Sequence, residues 1–117
     1  MAQQTYGIDV DTLDKLHEDL DMPRADILHG LGLSPRDLDL LQLGQAKVRS
    51  DVLRRLHALV DLRDGLYETF ASSDGVREWM RAELRYLQWR TPQQVIGSGD
   101  PERAYAAFEA LASGIFI

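Results

Sequence analysis

Between Ser50 and Ala71 the apolar residues keep to one side of a helix. Val52, Leu56, Leu59, Val60, Leu66, Tyr67 and Phe70 form a continuous stripe at helical spacing. Ser50 reads as the N-cap of this helix, and Asp51 suits its positive end. Gly65 lies inside the stripe and costs roughly 1 kcal/mol relative to Ala, so a bend or a close packing contact is expected there. An apolar face this long needs covering elements. The rest of the chain offers only helices for that task, because no strand-length alternation of β-branched residues occurs.

The other elements are punctuated by caps and breakers. A first helix is expected from Asp9 or Asp11 to Leu20, with Leu13, Leu16 and Leu20 on one face. A second starts at Asp21 or Met22, carries Pro23 in its first turn, and ends between Gly30 and Gly32; Ile27, Leu28 and Leu31 form its apolar side. A third opens at Ser34-Pro35-Arg36-Asp37, where Ser at N-cap, Pro at N1 and an acid at N3 combine into a start signal. It carries Leu38, Leu41 and Leu40, and stops at Gly44. After the long helix, Ser73-Asp74 opens a fifth that runs to about Glu83. Thr91-Pro92 starts a short one that Gly97 stops, and Asp100-Pro101-Glu102 starts the last. Ala104, Phe108 and Leu111 share a stripe on it, Tyr105 and Ala112 lie beside them, and Gly114 reads as its C′ residue. The fold class is therefore all-α: a helical domain with a helix-turn-helix-like bundle over residues 1–49 and a C-terminal helical region over residues 50–117.

Charge divides along the same line. Over residues 1–46, Lys15, Arg24 and Arg36 face nine acids, while over residues 47–90 basic residues outnumber acids nine to seven. An acidic front half disfavours nonspecific binding to nucleic acid, which needs basic surface. The absence of Cys leaves neither a disulfide framework nor a Cys-based metal site and fits a reducing, cytoplasmic setting. The start of the sequence shows no signal-peptide pattern, and no apolar run is long enough to span a membrane.

Two short helices joined by Gly30-Leu31-Gly32-Leu33 match the helix-turn-helix pattern. The start of the second helix would face base edges, and there Arg36 is the natural phosphate or guanine partner, with Ser34 beside it. Asp37 and Asp39 would repel phosphates. Lys47 and Arg49, together with Arg54 and Arg55, add positive charge next to the motif, although Arg54 and Arg55 fit a solvated helix face better. A helical scaffold or a dimerisation surface accounts for the same residues without DNA.

No catalytic constellation is present. His17, His29 and His57 are spread over three helices without metal-ligand spacing and read as surface or packing residues. There is no nucleophile elbow and no glycine-rich phosphate loop. Neither enzyme activity nor a cofactor nor a metal is expected. Glu78 and Glu83 among Arg77, Arg81 and Arg85 have the spacing of exposed helix ion pairs. Trp79 and Trp89 read first as core and core-edge residues. Trp89, beside Arg90, is the better interface anchor, since Trp and Arg dominate binding hot spots.

The segment from Val76 onward carries an ordered set of residues: Trp79-Met80, Leu87, Arg90-Thr91-Pro92, Val95-Ile96, Gly99, an apolar helix, then Gly114-Ile115-Phe116. This set resembles the toxin-binding domain of the Xre/MbcA/ParS antitoxin family. Glu83-Leu84 stands where that family has Pro-Asn, and Gln88-Trp89 precedes Arg90 where small residues are usual. The front half likewise resembles the Xre-type helix-turn-helix that precedes this domain. The resemblance implies an antitoxin of a bacterial type II toxin–antitoxin pair, a cytoplasmic homodimer that blocks a co-encoded toxin. In such families the toxin is usually a RES-domain enzyme that degrades NAD, with operator DNA as a second partner. The expected toxin-binding residues are Trp89, Arg90, Gly114, Ile115, Phe116 and Ile117, the last three with the terminal carboxylate as a plug. The expected DNA-binding residues are Ser34, Arg36, Lys47 and Arg49. The alternative is a helix-turn-helix transcriptional regulator whose C-terminal part only dimerises.

Overall fold

The computed structural model describes residues 10–44 and 47–114. They form seven α-helices: α1 (Val10–Asp19), α2 (Arg24–Leu31), α3 (Pro35–Gln42), α4 (Ser50–Phe70), α5 (Ser73–Met80), α6 (Pro92–Gly97) and α7 (Pro101–Ala112). A 3-10 turn at Arg85–Leu87 separates α5 from α6. No strand occurs among the described residues, only the isolated antiparallel bridge between Leu84 and Arg90.

Local chemistry sets most helix starts. Ser34 accepts from the Asp37 N–H while Asp37 accepts from the Ser34 N–H, a capping box ahead of α3. Thr91 and Gln94 make the same reciprocal pair ahead of α6. The start of α4 differs from expectation. Its N-cap is Arg49, Ser50 is already helical, and no side chain caps it. Asp51 is instead held by Arg49 and Arg55, so charge replaces the hydroxyl cap. Ser72, not Ser73, caps α5, accepting from the Gly75 N–H.

α4 is the axis of the molecule. Leu56, Leu59 and Leu66 are buried as the stripe requires, but so are Ala58 and Leu62, which the stripe omitted. The buried face is wider because α4 is covered from two sides, by α1 and α2 and by α5 and α7. α7 makes its most extensive packing contact, and Gly65 is the reason. A Cβ built there would lie 2.5 Å from the Phe108 ring. The glycine serves close packing, as a missing side chain admits an aromatic ring. Phe108 also meets Trp79 edge-on, with ring centroids 6.4 Å apart. Trp79 is 7% exposed, and its indole Nε1 finds no acceptor among the described residues.

A second close approach joins the two halves of the chain. A Cβ on Gly30 would sit 2.4 Å from the Ile96 carbonyl oxygen, so α2 and α6 cross nearly backbone to backbone. Gly30 is thus a buried helical residue of α2. The turn to α3 is made by Gly32 alone, at φ +84°. His29 Nδ1 donates to the Gly97 carbonyl at the same crossing. The bend between α1 and α2 is tied down in the same way. Tyr67 donates to the Asp19 carbonyl at 2.9 Å and Gln93 to the Asp21 carbonyl at 3.2 Å, while Arg81 pairs with the Asp21 carboxylate. The expected pairing of Glu78 and Glu83 with their neighbouring arginines is not seen. Arg77 bonds Asp74, and Arg81 reaches across to Asp21, because α5 ends at Met80, three residues earlier than expected.

Gly30→Ala has no flexible neighbour to displace, since the clash is with backbone. It should cost about 2 kcal/mol, lowering the melting temperature by roughly 10 °C in a thermal scan followed by circular dichroism. The α3 cap has a pH signature. The Ser34 backbone N–H, and then its hydroxyl, hold the Asp37 carboxyl below the usual aspartate range. A carboxyl lowered in the folded state stabilises above its unfolded pKa and loses that contribution as pH falls through the folded value. The stability gap between wild type and Asp37→Ala should therefore be full at pH 7 and close below about pH 4 in urea titrations.

Candidate functional site

The chain between α5 and α6 folds on main-chain bonds. The Leu84 N–H donates to the Arg90 carbonyl at 3.1 Å, and the Trp89 N–H donates to the Leu84 carbonyl at 2.8 Å. The Leu87 N–H also reaches Leu84, Gln88 donates to Arg85, and Arg90 donates to Leu87. Buried Leu84 and Leu87 anchor the loop from beneath. The loop turns on two consecutive left-handed residues, Gln88 at φ +58° and Trp89 at φ +67°. A bulky residue in that region is strained by roughly 1–3 kcal/mol, and such strain concentrates at functional positions.

The strain serves exposure. Trp89 is 62% exposed and Tyr86, three residues earlier, is 42% exposed, so two of the three exposed large apolar side chains among the described residues share this loop. Leu43, after α3, is the third. Burial of Trp89 at the core edge, the quieter expectation, is not what the structure shows. The Arg90 side chain is exposed and makes no ion pair among the described residues. Beside the loop, Tyr86 faces Ala106, Glu109, Ala110 and Ser113 of α7 and its C-cap across an open groove. Sequence reasoning missed this groove. Its signal was the run of small residues on α7, which reads equally well as core. Gly114, at φ +79°, follows Ser113 of this groove, and Trp89 and Arg90 follow Tyr86 in the loop opposite. Ile115, Phe116 and Ile117 lie outside the described residues.

The helix-turn-helix region is differently disposed. α2, the Gly32 turn and α3 form the expected pair of helices, with Arg36 exposed on the first turn of α3. Ser34 is occupied in its capping box. Arg49 donates to the Gly32 carbonyl at 3.4 Å and pairs with Asp51 at 3.2 Å; Arg55 donates to the Leu31 carbonyl at 3.3 Å. Both cations sit on the carbonyl end of α2, where its dipole is negative. Arg54 pairs with Glu102 of α7. Lys47 is exposed. Of the four expected DNA-contacting residues, two are thus engaged in holding the fold, and Asp37 and Asp39 accompany Arg36 on α3. An apolar cleft of about 460 Å³ flanks this turn, lined chiefly by Ala25, Leu28, Leu33 and Pro35.

No group of His, Asp or Glu among the described residues could hold a metal ion, and no helix there is long and apolar enough to cross a membrane. The loop and α7 bring together an exposed indole, an exposed phenol and a groove, beside a guanidinium without an ion pair among the described residues.

No family model matches the chain. It is 30% identical over 84 residues to the mycobacterial cidal antitoxin MbcA of Mycobacterium bovis, a match covering 72% of this chain and 74% of that protein. The MbcA of Mycobacterium tuberculosis matches equally. Among solved structures, a chain of the Mycobacterium tuberculosis MbcT–MbcA toxin–antitoxin complex superposes with a TM-score of 0.58 and 26% identity, over 94% of this chain and 100% of that one.

Trp89→Gly separates strain from recognition. Glycine takes the left-handed conformation freely, so the variant should melt a few degrees higher than wild type, in line with about 1 kcal/mol of relieved strain. Trp89→Ala, which keeps a Cβ, should show little of this gain in the same calorimetric scan.

Proposed function

The chain belongs to the MbcA antitoxin family, and on that premise we propose that it binds and blocks a co-encoded toxin through the surface formed by Trp89, Arg90 and the end of α7. The observation that carries this reading is the strained, exposed Trp89, held out on a loop closed by main-chain bonds from Leu84, Leu87, Gln88, Trp89 and Arg90. A preformed aromatic beside an unpaired arginine has the composition of a binding hot spot and loses little entropy on docking. Gly114 ends α7 next to this surface, and Ile115, Phe116 and Ile117 supply apolar area that enters the toxin's active site. The toxin fitting the family resemblance is a RES-domain enzyme that degrades NAD, whose cationic substrate site suits a plug joined to an acidic protein.

Operator binding is the second part of the reading, carried by α2, the Gly32 turn and α3 with Arg36 outermost. With Arg49 committed to the carbonyl end of α2 and acids around Arg36, a lone copy has weak affinity for phosphates. A homodimer, or a paired assembly with toxin, provides the avidity that one copy lacks. The division of labour follows residues 1–49 for DNA and 50–117 for toxin and self-association.

Co-expression with the toxin should restore growth and cellular NAD. Trp89→Ala should raise the dissociation constant of the purified complex by about 30-fold, the 2 kcal/mol scale of a hot-spot tryptophan, with the melting temperature of the free protein unchanged. Continued killing in the presence of the wild-type chain would overturn the antitoxin reading. NAD that stays constant while the toxin kills would overturn the RES assignment alone.

A further inference from the structure

The groove beside the loop has a chemistry more specific than exposure. It is lined by Tyr86, Ala106, Ala110 and Ser113, with Glu109 the one charged residue among the described ones. Glu109 is exposed and makes no ion pair or side-chain hydrogen bond among the described residues. Its neighbour on the same helix, Glu102, is by contrast held by Arg54 at 3.1 Å. The charge of Glu109 is felt locally: burial, and after it the Glu109 and Asp61 carboxylates, push the Tyr105 hydroxyl above the usual tyrosine range. An unneutralised carboxylate, an exposed phenol ring and a lining of methyl groups leave room for a long side chain that is flat and cationic at its tip.

We propose that this groove receives an arginine of the toxin, whose guanidinium pairs with Glu109 and stacks on Tyr86 while its methylene stem lies over Ala106 and Ala110. Guanidinium is the group that satisfies all three contacts: it forks onto a carboxylate, stacks on an aromatic face, and its stem covers apolar surface. Lysine would satisfy the charge but not the fork. The groove shares Tyr86 with the loop that carries Trp89, three residues further on, and Ser113 with the end of α7. The inference rests on the toxin-binding reading and adds the determinant by which one toxin is preferred over another. Trp89 supplies area to any partner, whereas Glu109 rewards a cation at one place.

The test measures dissociation constants for the purified toxin with wild type, Trp89→Ala, Glu109→Gln and Glu109→Arg. Glu109 is exposed, so these variants should melt with wild type. Glu109→Gln should weaken the complex about tenfold and flatten its salt dependence, and Glu109→Arg should weaken it about a hundredfold through like-charge contact. An arginine-to-glutamate change in the toxin that restores binding to Glu109→Arg would identify the partner residue. Wild-type affinity in Glu109→Arg, with Trp89→Ala still impaired, overturns the groove proposal and leaves the toxin-binding reading standing. Wild-type affinity in both variants overturns the groove proposal together with the placing of the toxin-binding surface on Trp89, and leaves the antitoxin reading to the co-expression test. If Glu109→Arg instead changes the mass of the free protein in light scattering and not its toxin affinity, the groove is filled by a second copy and the proposal falls.

Discussion

The contact between Gly65 and Phe108 sets the distance between the two longest helices, and most of the molecule is arranged around that distance. Only a missing side chain lets α7 lie this close to α4. The Phe108 ring then reaches Trp79, which fixes α5. With α5 fixed, the loop from Leu84 to Arg90 begins at a defined place, and its closing bonds deliver the chain to the capping box of α6. The proposed recognition surface is therefore positioned by packing on its buried side. The groove between Tyr86 and α7 exists because α7 is held against α4 and cannot slide toward the loop.

The front half is attached to the same frame through its backbone. Gly30 admits the Ile96 carbonyl, His29 binds Gly97, and the Asp19–Asp21 bend is bonded by Tyr67, Gln93 and Arg81. Each exposed ion pair contributes little by itself. The backbone crossing contributes more, because neither partner can rotate out of the way. α6 packs on α2 at this crossing and follows the loop that carries Trp89 and Arg90, so the two proposed recognition surfaces are built on one helix pair.

Features written in neighbouring residues were legible in the sequence. The caps at Ser34 and Thr91, the proline starts of α3, α6 and α7, and the faces of α1 and α2 follow from chemistry within four residues. Features set by distant residues were not. Gly30 was placed in the turn because a glycine that makes a turn and one that admits a carbonyl look alike until the neighbour is known. Nothing in the residues after Met80 marks a stop, so the sequence extends α5 to about Glu83. The bridge between Leu84 and Arg90 ends it sooner, and Arg81 serves Asp21 instead. Arg49 was placed toward DNA on charge alone, yet the carbonyl end of α2 claims it. Trp89 and Arg90 stood out by residue type. The groove around Glu109 did not, since alanines on a helix say nothing of what lies opposite.

The loop from Leu84 to Arg90 is fastened almost wholly by main-chain bonds and by two leucines beneath it. Such bonds are indifferent to the side chains pointing outward. Positions 85, 86 and 90 are exposed and lie outside the left-handed pair at 88 and 89, so their side chains can change without altering the path of the backbone that displays them. On the proposed reading, partner choice can then shift on residues that the fold does not need. When a toxin–antitoxin pair is duplicated within one genome, the copies can drift toward mutually exclusive pairings by substitution at these few places, without passing through an unfolded ancestor.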